Sequence, residues 1–517
     1  MKHWMFVLII TLATVFFGCS DDKDKDKDKP KGVFYFEPSS GVTAGTLRVV
    51  DENQQPVEAA SILLGKTIDN PFKDNIIITD ENGEASIPKA WLNALPITIE
   101  APGFIKASYL EVEPVAQAFQ ISSEDGKDTI QVSGDTIDYG RLRQDGYVDF
   151  SLVIPALTQR SLMSFDIGAL IRPVSDSLNI AGRSFEIPSN ISLPYQKESY
   201  IIPITIDKPA YRMFVNKPGF YKFFATHGRF PLKKVVDEMR KDKSIFEVIN
   251  NFEFMGGGQK DLQVNKSVAG QSISVKQIAF DQMIQVQAPT LSPQHEMLSL
   301  SLVNQGGHYF PSDLKRLTSQ STVELKHPST QVENHVLSIL LNRDVVTNTP
   351  IQMVESFMAT EIINIHPLFQ LSPIDTSEQL RPFSTQKGQL SIAFGQPRQG
   401  QPISFLPMIQ APQIQKDKIL LDAPLQNGSV IPLATYVVFS EIQSNGSVQS
   451  EKRSRMWEVY TTGWQKMLDL PHVQLSIDPN KKYRWEVLFL GRDPSAATNA
   501  GGLLDGITHV SRNSIDI

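Results

Sequence analysis

Apolar and polar positions alternate over much of this chain with the two-residue period of strands, and turn-forming residues interrupt the alternation repeatedly. Residues 46–50 alternate around Leu47 and Val49, a polar turn closes at Pro56, and residues 59–64 read as the next strand. Residues 76–79 and 84–87 flank Asn82-Gly83, a pair that supplies the positive φ of a tight hairpin turn. Residues 97–104 add another strand and turn. A polar, acidic stretch at 115–145 reads as a linker or irregular strand pair, and a stronger β region follows from 147 to 206. Toward the end of the chain, residues 436–442 and 456–460 flank Asn445-Gly446 as a second hairpin, and residues 475–489 form a further strand.

Helical spacing is clear in one place. Leu232, Val235, Val236 and Met239 fall on one face, with Lys233, Lys234, Asp237 and Arg240 opposite. Ser244 with Glu247 three residues on forms a capping box for a second short helix that turns Val248, Ile249 and Phe252 inward, and Gly256-Gly257-Gly258 ends it. Tyr211, Phe214, Phe220, Tyr221, Phe223, Phe224 and Phe230 crowd just upstream. They fit ordinary packing of helices on a sheet, or an aromatic-lined ligand groove under a helical lid.

These patterns predict a mainly β protein: several tandem immunoglobulin-like or transthyretin-like β-sandwich modules with one short helical insertion near 231–252. Borders are expected after residues 18, 31, 114, 262 and 425. They delimit an apolar leader (1–18), a charged tether (19–31), a first sandwich (32–114), a β-rich module with short helices (115–262), a glutamine- and proline-rich β module (263–425) and a last sandwich (426–517). A length of 517 residues with 41 % hydrophobic content suffices for several cores. The net charge of −7, with both signs dispersed, argues against a nucleic-acid surface. One cysteine among 517 residues leaves no disulfide to form, so stability must come from packing.

That cysteine stands in an informative place. Lys2 and His3 precede an apolar run over residues 4–17, and Gly18-Cys19-Ser20 follows. A basic start, a short apolar core and a small residue before the break are the parts of a secretory signal peptide, and the run is too short to cross a bilayer. The arrangement resembles the lipobox of bacterial lipoproteins, although Phe16-Phe17 departs from the aliphatic-then-small pair usual there. The resemblance implies acylation of Cys19, and with Ser20 next to it, an outer-membrane lipoprotein facing the periplasm or the cell surface. Acyl chains contribute about 0.8 kcal/mol per buried methylene, so several of them would hold the chain on a membrane. Residues 21–31 alternate Asp and Lys without an apolar residue, which suits a solvated tether.

Two further resemblances concern modules. The order of a valine strand at 46–50, Pro56, the 59–64 strand, Thr79-Asp80-Glu81-Asn82-Gly83 and Gly103-Phe104 resembles the carboxypeptidase-regulatory-like, or transthyretin-like, sandwich family, though Gln54-Gln55 stands where that family often has glycine. It implies an accessory sandwich. Pro479, Tyr483, Trp485 and Val487 resemble the late strand of a fibronectin type III-like sandwich, which places Tyr483 at the tyrosine corner with its hydroxyl tying a loop back to the strand. Residues 216–222 echo residues 100–106, and residues 283–289 weakly repeat at 408–412. Either shared ancestry or shared composition accounts for the second pair.

Candidate chemistry is sparse. Nucleophile elbows, phosphate loops, His-Glu-x-x-His helices and dinucleotide fingerprints are absent from the sequence. His295, His308, His327, His335 and His366 pair at none of the spacings that favour a metal site, and read as isolated polar or surface histidines. Asp80, Glu81 and Glu84 fit a solvated hairpin tip better than a calcium loop, which needs several ligands at close spacing. Trp457, Trp464 and Trp485 fit core packing better than sugar stacking. No catalytic, cofactor or metal residue is assigned, and Cys19 as lipid attachment is the single site. The expected function is a membrane-anchored envelope lipoprotein acting as a binding, adhesion or structural module, its partner being an unidentified protein or glycan. The alternatives are an envelope glycan or peptide hydrolase with its site between 140 and 425, and a subunit of an outer-membrane assembly.

Overall fold

A computed structural model of the chain describes residues 42–51, 54–67, 75–124, 130–138, 147–157, 163, 175–180, 183–188, 191–192, 210–215, 218–231, 234, 249–317, 321–330, 333–342, 389–398, 400–415, 417–425, 429–444, 451–496 and 506–517. Among these the chain is almost wholly strand, in several sheets, and no helix reaches seven residues. The mainly β expectation holds. Cys19 and the leader and tether around it lie outside the described residues, as do His366 and the turn Asn445-Gly446.

Twelve strands form the largest sheet. They are β1 (Ser61–Leu64), β2 (Ile76–Ile78), β3 (Leu95–Glu100), β4 (Lys106–Val112), β5 (His295–Gln305), β6 (His308–Leu317), β7 (His335–Asn342), β8 (Leu390–Gly395), β9 (Ile431–Ser444), β10 (Glu451–Thr462), β11 (Lys482–Arg492) and β12 (His509–Asp516). Across the sheet they run β6-β5-β7-β8-β12-β11-β9-β10-β4-β3-β1-β2. One neighbouring pair, β4 with β10, is parallel; the other pairs are antiparallel. Strands from the beginning, middle and end of the chain therefore share one hydrogen-bonded ladder.

The central strands are covered on both faces, which explains why their sequences are near-continuous apolar runs. Val487 and Phe489 of β11 enter one core with Phe439, Trp457 and Val459, while Leu488 and Leu490 enter a second core. That second core extends from Leu47 and Tyr109 through Leu298 and Leu337 to Val510. Burying an aliphatic or aromatic side chain of this size contributes about 1.5–3 kcal/mol, so these layers dominate the stability of the sheet.

A five-stranded sheet, whose longest members are Tyr147–Pro155, Gly219–Pro231 and Glu253–Val264, lies against the β6 edge. An open edge presents unpaired N–H and C=O groups, and here side chains and a bridge occupy several of them. Tyr309 exchanges backbone hydrogen bonds with Leu157, and Thr226 Oγ1 donates to Pro311 O at 2.7 Å. Asn250, in the 3₁₀ turn Ile249–Asn251, accepts from Arg316 N at 2.7 Å and donates to Arg316 O at 3.0 Å, imitating a neighbouring strand.

Several expectations change. The two expected helices fall mostly outside the described residues, and Ile249–Asn251 is a single 3₁₀ turn. Gly256-Gly257-Gly258 does not end a helix: it lies inside the strand Glu253–Val264. The reason is close approach of a neighbouring segment, since a Cβ on Gly258 would stand 1.8 Å from Ser274 O. Asn82-Gly83 does form a tight turn, with Gly83 at φ +72° and its N–H bonded to Asp80 O at 2.9 Å. Its flanks do not pair as a hairpin. Ile76–Ile78 joins β1, whereas Glu84–Ser86 joins Thr46–Val50 in a separate sheet, so the turn is a corner between layers. Likewise residues 115–124 are not merely linker, because Gln117–Gln120 pairs in parallel with Thr46–Val50. The weak repeat places unlike elements: Met283 sits in the strand Gln282–Gln287, while residues 401–412 carry only an isolated bridge at Pro402.

Candidate functional site at the seam of the large sheet

The parallel seam between β4 and β10 gathers a buried polar network. Trp457 and Val459 point into one core and Tyr460 into the other, so Glu458, between them, is carried inward by its position in β10. Its side chain is wholly buried. An unpaired carboxylate there would be prohibitive, and four donors meet it. Tyr436 OH donates to Oε1 at 2.6 Å and Arg455 Nη1 to the same oxygen at 2.7 Å. Tyr460 OH and Ser122 Oγ donate to Oε2 at 3.0 and 3.1 Å. Burial, with the Glu458 charge second, holds the Tyr436 phenol well above its ordinary value, so it remains a donor.

Aromatic rings back this network. Tyr436 stacks on Tyr460 at 4.5 Å, Tyr460 on Tyr109 at 5.1 Å, and Tyr109 meets Phe119 at 4.8 Å. On the other face Trp457 Nε1 donates to Ser108 Oγ at 2.9 Å, and Ser108 shares a hydrogen bond with Thr98 at 2.8 Å. Farther along, Lys66 pairs with Asp469, His472 N donates to Lys66 O at 2.8 Å, and Lys106 Nζ reaches Gln474 O at 3.0 Å. The two oxygens of Glu458 are taken by these four donors, and the side chain has no solvent access. The arrangement joins the two strands across the seam.

The histidines need correction. His327 is fully buried and His335 nearly so, and the charge of His335 bears on His327, which makes them neither isolated nor on the surface. Burial, aided by His335, pushes His327 down to about 4, and burial also lowers His335 against the pull of Glu333. The two lie eight positions apart in sequence, beyond the short spacings that mark a metal pair. His295 is at the strand start with its Nδ1 3.0 Å from Ser292 Oγ. Among the described residues no three His, Cys, Asp or Glu side chains are grouped to hold a metal ion.

Other candidates resolve into packing. Asp80 Oδ1 accepts the N–H groups of Asn82 and Glu84, each at 2.9 Å, so it organises the turn itself. Tyr211, Phe223, Phe224 and Phe230 are buried, Phe224 stacking on Phe310 at 4.1 Å and Phe230 on Phe252 at 4.9 Å; Phe220 alone of the described aromatics there is exposed. Trp457 and Trp485 are core residues, and Trp464 Nε1 donates to Leu490 O at 2.8 Å. Tyr483 OH accepts from Asp478 N at 2.7 Å, the loop tie expected of that position.

Among the described residues, the fold is that of a mainly β, multi-sheet protein. No protein-family description matches the chain, and no curated protein matches it. Among solved structures, the chain has 9 % identity with the major pilin subunit BcpA of Bacillus cereus, covering 58 % of this chain and 87 % of that one at a TM-score of 0.13. The Bacillus anthracis TIE protein gives 9 % identity, 58 % and 45 % coverage and a TM-score of 0.14. A streptococcal ancillary pilin gives 9 %, 58 %, 90 % and 0.13. Likenesses this low transfer neither fold detail nor activity.

Proposed function

We propose that this chain is an envelope lipoprotein, held by lipid on Cys19, that presents a braced β scaffold for binding or adhesion to a protein or glycan. The observation that carries the reading is the seam: the first and last portions of the chain are welded by the Glu458 network into one sheet. A rigid body of this kind suits the display of loops away from an anchoring surface. The sequence around Cys19 and the alternating Asp/Lys stretch supply the matching anchor and tether.

The test is membrane fractionation and protease shaving of intact cells expressing the full chain or Cys19→Ala. Membrane retention lost in Cys19→Ala supports the anchor. Cys19-dependent release of peptides from intact cells supports display at the surface, and protection until the outer membrane is opened supports a periplasmic face. A protein that is soluble with or without Cys19 refutes the reading.

A further inference from the structure

A histidine pair lies where the five-stranded sheet rests on the large one. His327 Nδ1 stands 2.8 Å from Ser301 Oγ of β5. His335 opens β7, its ring stacked on Phe394 of β8 at 5.5 Å and edge-on to Tyr309 of β6 at 5.3 Å, and its Nε2 lies 3.7 Å from the Glu333 carboxylate. Tyr309 also packs edge-on against Phe394 at 5.3 Å. The backbone of the same Tyr309 bridges to the segment just past the strand Tyr147–Pro155, donating to Leu157 O at 2.7 Å and accepting from Leu157 N at 3.3 Å. Tyr309 from β6 and Glu333 from the turn before β7 face His335, and the buried Asp313 of β6, opposite Ser301, accepts Lys326 N beside His327 at 2.8 Å; β5 offers Ser301 and β8 Phe394.

We propose that His327 and His335 form an acid-operated latch, closed with both rings neutral, whose protonation loosens the Tyr309–Leu157 bridge at the β6 edge. The surroundings favour neutral rings. Protonating both would add two charges that repel, that of His335 set against Phe394 and Tyr309, and the carboxylate nearest His335, on Glu333, is 61 % exposed and hence screened. Hydrating a protonated His335 requires its ring to leave the Tyr309–Phe394 slot, which withdraws packing from the residue that makes the bridge. The bridge is an isolated one, with no flanking ladder pair to hold it.

Amide hydrogen exchange on the full chain at about pH 7.5 and about pH 5, corrected for intrinsic rates, tests the latch. Exchange at Tyr309 and Leu157 should rise at least about tenfold at the lower pH relative to Val487 of β11, a tenfold change being the effect of one pKa unit gained on opening. His335→Phe keeps an aromatic ring in the slot without a titrating nitrogen, and should abolish most of the rise. His327→Gln, with its fold checked by circular dichroism at about pH 7.5, should diminish it and serves if the first variant does not fold. Equal protection of Tyr309 and Leu157 at both pH values in the unaltered chain overturns the proposal. So does a rise that survives in the folded variants.

Discussion

The phenol of Tyr483 accepts the backbone N–H of Asp478 at 2.7 Å, closing the loop that leads into β11. The Asp478 carboxylate continues the turn by accepting Asn480 N at 2.9 Å, and the Tyr483 ring stacks on Phe439 at 5.3 Å. Tyr483→Phe keeps the stacking and removes the tie. It should lower stability by about 1 kcal/mol, the net worth of such a hydrogen bond, without changing the denaturant m-value. Urea unfolding of the two proteins checks this.

The seam makes a stronger demand. Glu458→Ala strands Tyr436, Tyr460 and Ser122 without their shared acceptor and leaves Arg455 without its carboxylate, so a loss of about 3–5 kcal/mol is expected. A double-mutant cycle between Ser122→Ala and Glu458→Gln should show a coupling of about 0.5–3 kcal/mol. A coupling of zero would mean that the two ends of the chain do not meet in solution.

The glycine run offers a steric test. A methyl group at Gly258 would collide with Ser274 O at 1.8 Å, and that oxygen is backbone with no rotamer to yield. Gly258→Ala should cost about 1–3 kcal/mol or more in thermal or chemical unfolding. Gly395→Ala, where a Cβ meets nothing within 4 Å, is the control and should change stability little.

Buried histidines set a pH dependence. Burial pushes His227 down to about 4, with Lys276 adding to the effect, and pushes His327 to a similar value with His335 adding. Both start from an ordinary value of 6.5, so the unfolded chain takes up protons first as the pH falls. Their contribution to stability is whole above 6.5, declines between 6.5 and about 4, and changes no further below that. Melting temperatures measured across this window should fall with pH, and the fall should shrink in His327→Gln.

Local features of this protein were legible in its residues. Alternation marked β9, β10 and β11, Asn82-Gly83 marked a positive-φ turn, and Pro479 with Tyr483 marked the loop tie, because each depends on neighbours a few positions away. The anchor reading at Cys19 rests on sequence alone. Tertiary structure decided the rest. Ser122 and Glu458 lie 336 positions apart and Ser108 and Trp457 lie 349 apart, and no local pattern announces which distant strand will occupy an edge. For the same reason Glu458 resembled any strand glutamate, the histidines looked solitary, and Gly256-Gly257-Gly258 looked like a stop. Their roles come from what crosses beside them, a property of the assembled sheets and not of the nearby sequence.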